Sequence, residues 1–150
     1  MDGNMRWDAG QDGMITGFDS YHNNHREDRR WKFYFGSTDL RCIQGNWSGY
    51  KNSWDGGLSF SCPDRAVLNG VTSTHDNGRE DRRWKFRCCE LPDNVSVDRH
   101  GYSDYTHYDD PIAWFCPKSN EAVVALISYH NNDREDRKWK FQCGEILEAL

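Results

Sequence analysis

Short runs with a two-residue hydrophobic period dominate the chain and predict β-strands. In residues 83–88, the sequence Arg-Trp-Lys-Phe-Arg-Cys alternates aromatic residues and cysteine with cations. The same alternation appears at residues 30–35 and 138–143. Because successive side chains of a strand point to opposite faces, each run predicts a half-buried strand with a basic, solvated face.

The rest of the pattern predicts hairpins and an all-β fold. Apolar segments just upstream of these runs, such as residues 67–73 and 122–128, also suit strands. The final residues 145–150 could form a short helix, and no other segment carries a helical stripe. The polar stretches between paired strands are expected to form hairpin loops at residues 22–27, 75–80 and 130–135.

Self-comparison divides the chain into three copies of one unit. GFDSYHNNHREDRRWKF, GVTSTHDNGREDRRWKF and ALISYHNNDREDRKWKF align without gaps, beginning at Gly17, Gly70 and Ala125. Since one unit cannot bury its rings alone, we expect approximate threefold symmetry, in a β-prism-like or β-trefoil-like fold. The predicted single domain spans residues 1–150, with repeat 1 at approximately 1–44, repeat 2 at 45–98 and repeat 3 at 99–150.

Composition indicates a core built from rings. Leu, Ile, Val and Phe together number 25 of the 150 residues, and the mean hydropathy is −0.99, so aliphatic side chains alone would form a poor core. The 21 aromatic residues compensate, since each can bury roughly 150–250 Å². The strand phase assigns to the core Trp31, Trp84, Trp139, Phe33, Phe86 and Phe141.

The six cysteines predict disulfide bonds. No C-x-x-C pair is present, which disfavours a structural zinc site. Cys88 and Cys143 are equivalent in the repeat alignment, as are Cys62 and Cys116 upstream. Repeat 1 lacks cysteine at both positions, and such joint loss is expected of a bonded pair. The predicted bonds are Cys62–Cys88, Cys116–Cys143 and, by subtraction, Cys42–Cys89.

These cysteines favour a secreted, extracellular protein, because disulfides persist in oxidising compartments. Asn46-Trp47-Ser48 and Asn94-Val95-Ser96 are glycosylation sequons, which agree with that location. The first twenty residues contain no apolar signal-peptide run, so a secreted protein would be represented here in its mature form behind Met1.

The charge is unevenly distributed. The net charge is −5, but each segment of the form R-E-D-R-[RK]-W-K carries +2, which leaves −11 for the rest of the chain. Basic strand faces on an acidic body could bind sulfated or sialylated glycans, or could be solvated faces balanced by neighbouring acids. An acidic protein without a contiguous basic stripe is not expected to bind nucleic acid.

The motif S-x-H-x-N-x-R-E precedes every D-R-x-W-x-F and supplies the candidate ligand-binding residues. Asn-rich turns satisfy their own backbone, so a purely structural loop is one interpretation. Turn chemistry does not require His, Arg and Glu at fixed places, and these groups together can hydrogen-bond sugar hydroxyls or a carboxylate. The candidates are His22, Asn24, Arg26, Glu27, His75, Asn77, Arg79, Glu80, His130, Asn132, Arg134 and Glu135.

Two further groups of residues have alternative interpretations. Each Asp-Arg step that follows the motif, beginning with Asp28-Arg29, is predicted to pin its hairpin as a buried or networked ion pair, because exposed pairs contribute only ~0–1 kcal/mol. Aromatic residues of the connectors between repeats could stack on sugars or pack as half-exposed rings. They are Trp47, Trp54, Tyr102, Tyr105 and Tyr108.

No enzyme, metal or cofactor signature is evident. G-x-S-x-G, H-E-x-x-H and phosphate-binding Gly-rich loops are absent from the sequence. The adjacent Glu-Asp pairs would point to opposite faces of a strand and not converge. The ordered oxygen spacing of a calcium loop is missing, so we expect no cofactor, with calcium as the alternative.

The D-R-x-W-x-F motif, at residues 28–33, 81–86 and 136–141, resembles the repeat hallmark of the dermatopontin family. Cys-Pro upstream of the motif, at Cys62 and Cys116, is similar as well. The resemblance covers nearly the whole chain, and the added S-x-H-x-N-x-R-E prefix looks closer to the hemagglutinin/amebocyte aggregation factor-like members than to the matrix type. It implies a secreted, disulfide-bonded, non-enzymatic protein that binds matrix partners or glycans.

These observations favour an extracellular carbohydrate-binding protein that acts as a multivalent agglutinin or cell-aggregation factor. The alternative is a matrix adhesion protein that binds protein partners or sulfated glycosaminoglycans. Expected partners are cell-surface or matrix glycans, acidic polysaccharides and matrix proteins. Neither nucleic-acid binding nor membrane insertion is expected, and self-association is compatible with the sequence.

Overall fold

The computed structural model describes residues 3–11, 13–23, 25, 28–37, 40–76, 78–108, 110–131, 133–134 and 136–148, with Ser37 described by its backbone only. Eleven strands and no helix occur in these residues, so nothing described here resembles a membrane-spanning helix. The strands are β1 (Met5–Asp8), β2 (Gly13–Asn23), β3 (Asp28–Ser37), β4 (Ile43–Gln44), β5 (Leu58–Ser61), β6 (Ala66–Asp76), β7 (Asp81–Glu90), β8 (Val95–Tyr102), β9 (Ile112–Phe115), β10 (Glu121–Asn131) and β11 (Asp136–Glu148).

Each repeat contributes one long hairpin to a separate sheet. The hairpins are β2–β3, β6–β7 and β10–β11, and their ladders pair equivalent residues in the same register. The strand orders are β3-β2-β9, β1-β6-β7-β4 and β5-β10-β11-β8. The all-β fold is therefore confirmed, and three separate sheets correspond to the prism-like alternative.

The short strands are exchanged between repeats in a closed cycle. Strand β1 of repeat 1 pairs with β6 of repeat 2, β5 of repeat 2 pairs with β10 of repeat 3, and β9 of repeat 3 pairs with β2 of repeat 1. A β-bulge interrupts each receiving strand. The bulged carbonyls of Thr16, Asn69 and Val124 accept backbone hydrogen bonds at 2.8–2.9 Å from the ends of the donated strands.

A triangle of tryptophans lies at the centre of the core. Trp31, Trp84 and Trp139 contact one another edge to face, with ring centroids 5.2–5.4 Å apart and interplanar angles of 81–84°. All three are buried and belong to one cluster with Phe33, Phe86 and Phe141. The strand phase thus identified the core, because alternation within each strand separates these rings from the cations.

Three disulfides link the sheets and connectors. The bonds are Cys62–Cys88, Cys116–Cys143 and Cys42–Cys89, and the described residues include no free cysteine. The first two are the pairs that the repeat alignment predicts, and the third is the pair left by subtraction. Ala9 and Phe35 occupy the corresponding positions of repeat 1, where the donated strand pairs in the same way.

Two local expectations are wrong. His22, His75 and His130 lie in the strands and not in the loops, because the hairpin ladders extend to the pairs Asn23–Asp28, Asp76–Asp81 and Asn131–Asp136. The described part of the C-terminal segment, residues 145–148, continues β11 as a strand, because its backbone pairs with β8 and Ile146 is buried.

Candidate functional site

An ion-pair ring joins the three repeats where their hairpins turn. The Arg82 guanidinium donates two hydrogen bonds to the Asp28 carboxylate, from Nε to Oδ1 at 2.9 Å and from Nη2 to Oδ2 at 2.8 Å. Both side chains are buried, which makes this bidentate pair both directional and well shielded. The ring is closed by two equivalent pairs, Arg137–Asp81 at 2.8 Å and Arg29–Asp136 at 2.7 Å.

The expected pairing of each aspartate with the arginine that follows it is therefore wrong in one respect. The pairs are buried and networked, but each aspartate binds the arginine of the next repeat. Neighbouring residues on a strand project to opposite sides, so Asp28 reaches Arg82 across the interface more readily than Arg29 beside it. The Asp-Arg step consequently joins repeats and does not pin single hairpins.

The motif histidines lie behind this ring. The His75 side chain is fully buried, and its Nε2 lies 3.9 Å from Asp28 Oδ1. His130 is 1% exposed, with Nε2 at 3.9 Å from Asp81 Oδ1. His22 stands opposite Arg29 in the equivalent ladder position. His75 and His130 face the inter-repeat carboxylates, and their side chains are shielded from a ligand in solvent. His22 is half-buried.

A cavity beside the ring is too small for a sugar. It measures about 30 Å³ and is lined by the ring residues, His130, Glu80 and the tryptophan triangle. Small-molecule sites measure roughly 300–1,000 Å³, whereas this volume holds about one water molecule. The indole N–H groups of Trp84 and Trp139 are buried and have no hydrogen-bond partner among the described residues. The cavity thus has room for water but not for a sugar ring.

The hairpin tips retain two exposed candidates, Arg79 and Arg134. The backbone N–H of Arg79 donates to Asp76 Oδ1, and that of Arg134 donates to Asn131 Oδ1, both at 3.0 Å. These side-chain-to-backbone bonds form the turns and leave the guanidinium groups outside. Glu80 is half-buried with φ at 52°. Six candidates lie outside the described residues: Asn24, Arg26, Glu27, Asn77, Asn132 and Glu135.

The connectors of repeats 2 and 3 run along the outer edges of β7 and β11. Ser48 N–H donates to the Phe86 carbonyl at 2.8 Å, and Phe86 N–H donates to Ser48 Oγ at 2.9 Å. Ser103 forms the same two bonds with Phe141, at 2.8 and 2.9 Å. Three residues further along each connector, the N–H groups of Lys51 and Thr106 donate hydrogen bonds to the carbonyls of Trp84 and Trp139. Both connectors therefore act as an added strand.

This arrangement places a tyrosine beneath two cations in each of these repeats. The Tyr50 ring centroid lies 3.7 Å from Arg83 Cζ and 4.5 Å from Lys85 Nζ. Tyr105 lies 4.4 Å from Lys138 Nζ and 4.5 Å from Lys140 Nζ. We call the first surface face 2 and the second face 3. Face 2 consists of Tyr50, Trp54, Arg83 and Lys85, and face 3 of Tyr105, Tyr108, Lys138 and Lys140.

The two faces are basic and partly exposed, since their cations are half-buried against the rings. Tyr50 is 39% exposed, and Arg83 Cζ also lies 5.1 Å from the Trp54 ring. In face 3, Lys138 and the tip residue Arg134 each lie 5.9 Å from the Tyr108 ring centroid. A cation–π contact restricts a long side chain, so each face presents its charges at fixed spacing. Arg134 thus connects the tip of repeat 3 to face 3.

The equivalent tyrosines differ in acidity. A hydrogen bond from Thr74, together with the charges of Arg83 and Lys85, lowers the pKa of Tyr50. Burial and the neighbouring Tyr129 raise the pKa of Tyr105. Tyr50 is therefore the stronger acid, although both rings occupy the same place in their repeats.

Two clusters of the described residues contain carboxylates and a histidine that could hold a metal ion: Asp55, Asp81 and His130, and Asp98, His100 and Glu145. In the first, Asp81 is already engaged by Arg137. In the second, Glu145 lies 3.4 Å from Lys118 Nζ and accepts a hydrogen bond from Asn120. Each cluster includes a nitrogen donor, whereas calcium prefers an all-oxygen shell. Neither cluster fits calcium well.

The sequence profile of the family described as Dermatopontin matches residues 1–98 and 52–149. The chain belongs to the dermatopontin family. The resemblance carried by D-R-x-W-x-F is thereby confirmed, and the ring and tryptophan triangle show what that motif does in this family member. Its aspartate and arginine join neighbouring repeats, while its tryptophan and phenylalanine form the common core.

Relatives of this dermatopontin-family chain carry diverse names. It is 55% identical to the hemagglutinin/amebocyte aggregation factor of Limulus polyphemus over 80 residues, which cover 51% of this chain and 46% of that protein. It is 36% identical to Millepora cytotoxin-1 of Millepora dichotoma over 84% of this chain and 56% of that protein. It is 34% identical to the dermatopontin of Biomphalaria glabrata over 89% of this chain and 88% of that protein.

The chain thus spans about half the length of the first two relatives. No solved structure matches it. Its relationship to an agglutinin and to dermatopontins agrees with the functional classes that the sequence favours, and none of these names denotes an enzyme.

Tyr50 was missed as a candidate in this dermatopontin-family sequence. The connector candidates from the sequence are Trp47, Trp54, Tyr102, Tyr105 and Tyr108, and Tyr50 is not among them. A signal was available, since Tyr50 precedes Trp84 by the same distance as Tyr105 precedes Trp139. Trp47, by contrast, packs against Gly70 and beneath Arg6 and Arg87. It therefore attaches the connector to the sheet.

Proposed function

We propose that this protein is an extracellular agglutinin that binds acidic glycans through faces 2 and 3. The observation that carries the proposal is the occurrence of the same cation–tyrosine arrangement in two repeats of one chain. Cross-linking of cells requires at least two sites per particle, and linked weak sites gain ~10²–10⁴ in apparent affinity. The relationship to the Limulus agglutinin supports the same class.

The chemistry of the faces suits sulfate or carboxylate groups on a sugar. Paired cations bind such anions through charge-assisted hydrogen bonds. The tyrosine restrains both cations, so less side-chain freedom is lost on binding. The exposed Tyr50 and the half-buried Tyr108 offer apolar contact for a sugar next to the anionic group.

The hairpin tips extend this proposal. Arg134 adjoins face 3, and Arg79 is its exposed counterpart in repeat 2. We expect these arginines, with Arg26 of repeat 1, to contribute to binding at the tips. His75 and His130 instead pack against the aspartates of the ion-pair ring. The tip asparagines and glutamates remain part of the same ligand-binding hypothesis.

The proposal includes an extracellular location and a binding role without catalysis. Three disulfides suit an oxidising, extracellular compartment, and both sequon asparagines, Asn46 and Asn94, are exposed. The protein acts as a binding protein without catalysis and without a cofactor. Agglutination is accordingly expected to be unchanged by EDTA.

A hemagglutination assay with one charge removed from each face tests the proposal. Lys85→Gln and Lys140→Gln are each expected to leave binding to an immobilised sulfated glycan detectable while lowering the agglutination titre steeply, because one face cannot cross-link. Arg41→Gln removes an exposed cation outside both faces and serves as the matched control. A folded double variant that agglutinates at the wild-type titre would reject the two faces.

The tips are tested separately with Arg79→Ala and with the triple variant that lacks Arg26, Arg79 and Arg134. Loss of titre with unchanged melting temperature supports a binding role, whereas a wild-type titre assigns these residues to the turns. If both sets of variants remain active, the next surface to examine is a cleft of about 380 Å³ lined by Asn46, Phe60 and Phe86.

Adhesion within the extracellular matrix is the second candidate. It is favoured by the near full-length match to the dermatopontin of Biomphalaria glabrata. The same basic faces would then bind sulfated glycosaminoglycans or acidic segments of proteins. Inhibition of hemagglutination by a simple sugar supports the agglutinin, whereas retention on immobilised matrix proteins without agglutination supports adhesion.

A further inference from the structure

Three carboxylates lie side by side on the sheet of repeat 3. Glu121 on β10 is paired in register with Glu145 on β11, and Glu145 is paired with Asp98 on β8. Like charges that are directly opposite on neighbouring strands destabilise a sheet. The row runs from the interior to the surface, since Glu121 is fully buried, Glu145 is half-buried and Asp98 is exposed. Such a row requires a compensating positive charge.

His100 lies against all three carboxylates. It follows Asp98 by two residues on β8, so both side chains project from the same face of the strand. Its Nδ1 lies 2.8 Å from Glu121 Oε2, and its Nε2 lies 3.7 Å from Glu145 Oε1 and 4.0 Å from Asp98 Oδ2. The side chain of His100 is 36% exposed. An ion from solvent can therefore reach the cluster.

Repeat 2 compensates the equivalent position with an arginine. Glu90, the counterpart of Glu145, accepts a hydrogen bond from Arg65 Nη2 at 3.1 Å. The repeat alignment places the neutral Asn120 at the position of Arg65, and Asn120 donates to Glu145 Oε2 at 3.2 Å. Lys118, with Nζ 3.4 Å from that oxygen, is the one lysine or arginine among the described residues that pairs with the row. The three carboxylates thus outnumber the ammonium by two charges.

Glu121 gives a second, independent indication of a ligand. Its Oε1 accepts a hydrogen bond from the Lys118 N–H at 2.7 Å, which fixes the carboxylate. Its Oε2 is buried and has no hydrogen-bond partner within the described ranges, although it lies close to His100. A metal ion on Nε2 leaves the ring proton on Nδ1, and metal-bound histidines commonly donate that proton to a carboxylate. Metal binding at His100 would supply the donor that Glu121 lacks.

We propose that Asp98, His100 and Glu145 bind zinc or a similar divalent transition-metal ion, with Glu121 as the positioning residue for His100. Zinc takes imidazole and carboxylate ligands at about 2.0–2.2 Å, which places the ligand atoms of a tetrahedral site about 3.3 Å apart. The separations of 3.7 and 4.0 Å from Nε2 are close to that value. A water molecule would complete the shell on the solvent side. The ion would link β8 to β11 and balance the two excess charges.

The proposed zinc site is independent of the glycan-binding proposal. It shares no residue with faces 2 and 3, and its ligands join two strands of one sheet. Zinc is therefore expected to leave the agglutination titre unchanged, so zinc binding and agglutination that is insensitive to EDTA can hold together.

Isothermal titration calorimetry of the intact, disulfide-bonded protein with zinc chloride tests the site. One zinc ion per chain is expected to bind, and His100→Gln should abolish this binding. His25→Gln removes an exposed histidine elsewhere and should have no effect. Glu145→Gln should weaken zinc binding at least about tenfold, whereas Glu90→Gln, the same change at the equivalent position of repeat 2, should not. Equal affinity of the Glu145 and Glu90 variants would overturn the proposal.

Two further measurements separate metal binding from folding. Glu121→Gln should weaken zinc binding about 10–100-fold, and nitrogen NMR of the zinc-bound wild type should place the His100 proton on Nδ1. Zinc should raise the melting temperature of the wild type but not of Asp98→Ala, whose exposed side chain is not needed for folding. An equal rise in that variant would overturn the proposal. So would weaker binding in Asp55→Asn alone, because the cluster around His130 would then hold the ion.

Discussion

At the scale of single residues, burial determines which charged groups hold the molecule together and which are free to act. The ring aspartates and arginines are less than 7% exposed, yet every one has an oppositely charged partner from another repeat. Desolvation offsets much of the attraction in a buried pair, so the ring specifies how repeats meet more than it adds stability. Removal of one partner, in contrast, destabilises the fold strongly, because the other charge stays buried without compensation.

Arg82→Met is expected to lower the free energy of unfolding by about 3–5 kcal/mol, because Asp28 would lose both hydrogen bonds. Urea denaturation measures the change. Arg65→Met is the control, since Arg65 pairs with the largely exposed Glu90 and Asp93, and it should cost less than about 1 kcal/mol. Equal effects of the two substitutions would contradict a structural role for the ring.

The tyrosines of faces 2 and 3 are expected to titrate apart. Because the pKa of Tyr50 is lowered and that of Tyr105 is raised, the Tyr50 phenolate forms first as pH rises. Its negative charge repels an acidic glycan, so face 2 loses affinity at a lower pH than face 3. Ultraviolet titration of Tyr50→Phe and Tyr105→Phe variants identifies each ring. Loss of the same titration step in both variants would contradict the assignment.

At the scale of elements, the sequence predicts the strands and the disulfides within each repeat but not the pairing of strands between repeats. Alternation of Trp84, Phe86 and their cations gives the strand phase directly, and self-comparison gives the disulfides. Cross-repeat contacts leave no periodic signal, so the pairing of β1 with β6 and of Asp28 with Arg82 was not predictable. The histidines were misplaced because a polar segment at the end of a ladder is indistinguishable from a loop in sequence.

Repeat 1 should accept the disulfide that the other repeats carry. Ala9 and Phe35 stand where Cys62 and Cys88 stand in repeat 2, and the loop between them has a similar length. Ala9→Cys with Phe35→Cys is therefore expected to form a fourth bond and to stabilise the protein by about 3 kcal/mol in the chain-entropy model.

Thiol titration and the melting temperature with and without reductant measure this effect. The single variant Phe35→Cys controls for loss of the half-exposed ring. Two free thiols in the folded double variant would show that repeat 1 departs from the geometry of its neighbours.

At the scale of the whole molecule, the cyclic exchange of strands makes the three repeats interdependent. Each hairpin receives a strand, an ion-pair partner and a tryptophan contact from another repeat. A fragment of residues 1–98 would retain two hairpins. It would lack strand β9, which pairs with β2, and Asp136, which pairs with Arg29. It is expected to lack a cooperative unfolding transition, whereas the full chain unfolds in one step. Superimposable fluorescence and circular-dichroism curves measure this difference, and a cooperative transition in the fragment would contradict it.

The same exchange fixes the number of copies. In a solenoid, the last repeat presents a free surface on which another can stack, so such proteins lengthen by duplication. Here the third repeat returns its strand to the first, as a head-to-tail interface does when its rotation closes a ring. A fourth unit would find no open position and would have to separate β9 from β2 to enter. Duplication of this gene segment can thus add further three-repeat domains, joined by linkers, but cannot add a fourth repeat to an existing domain.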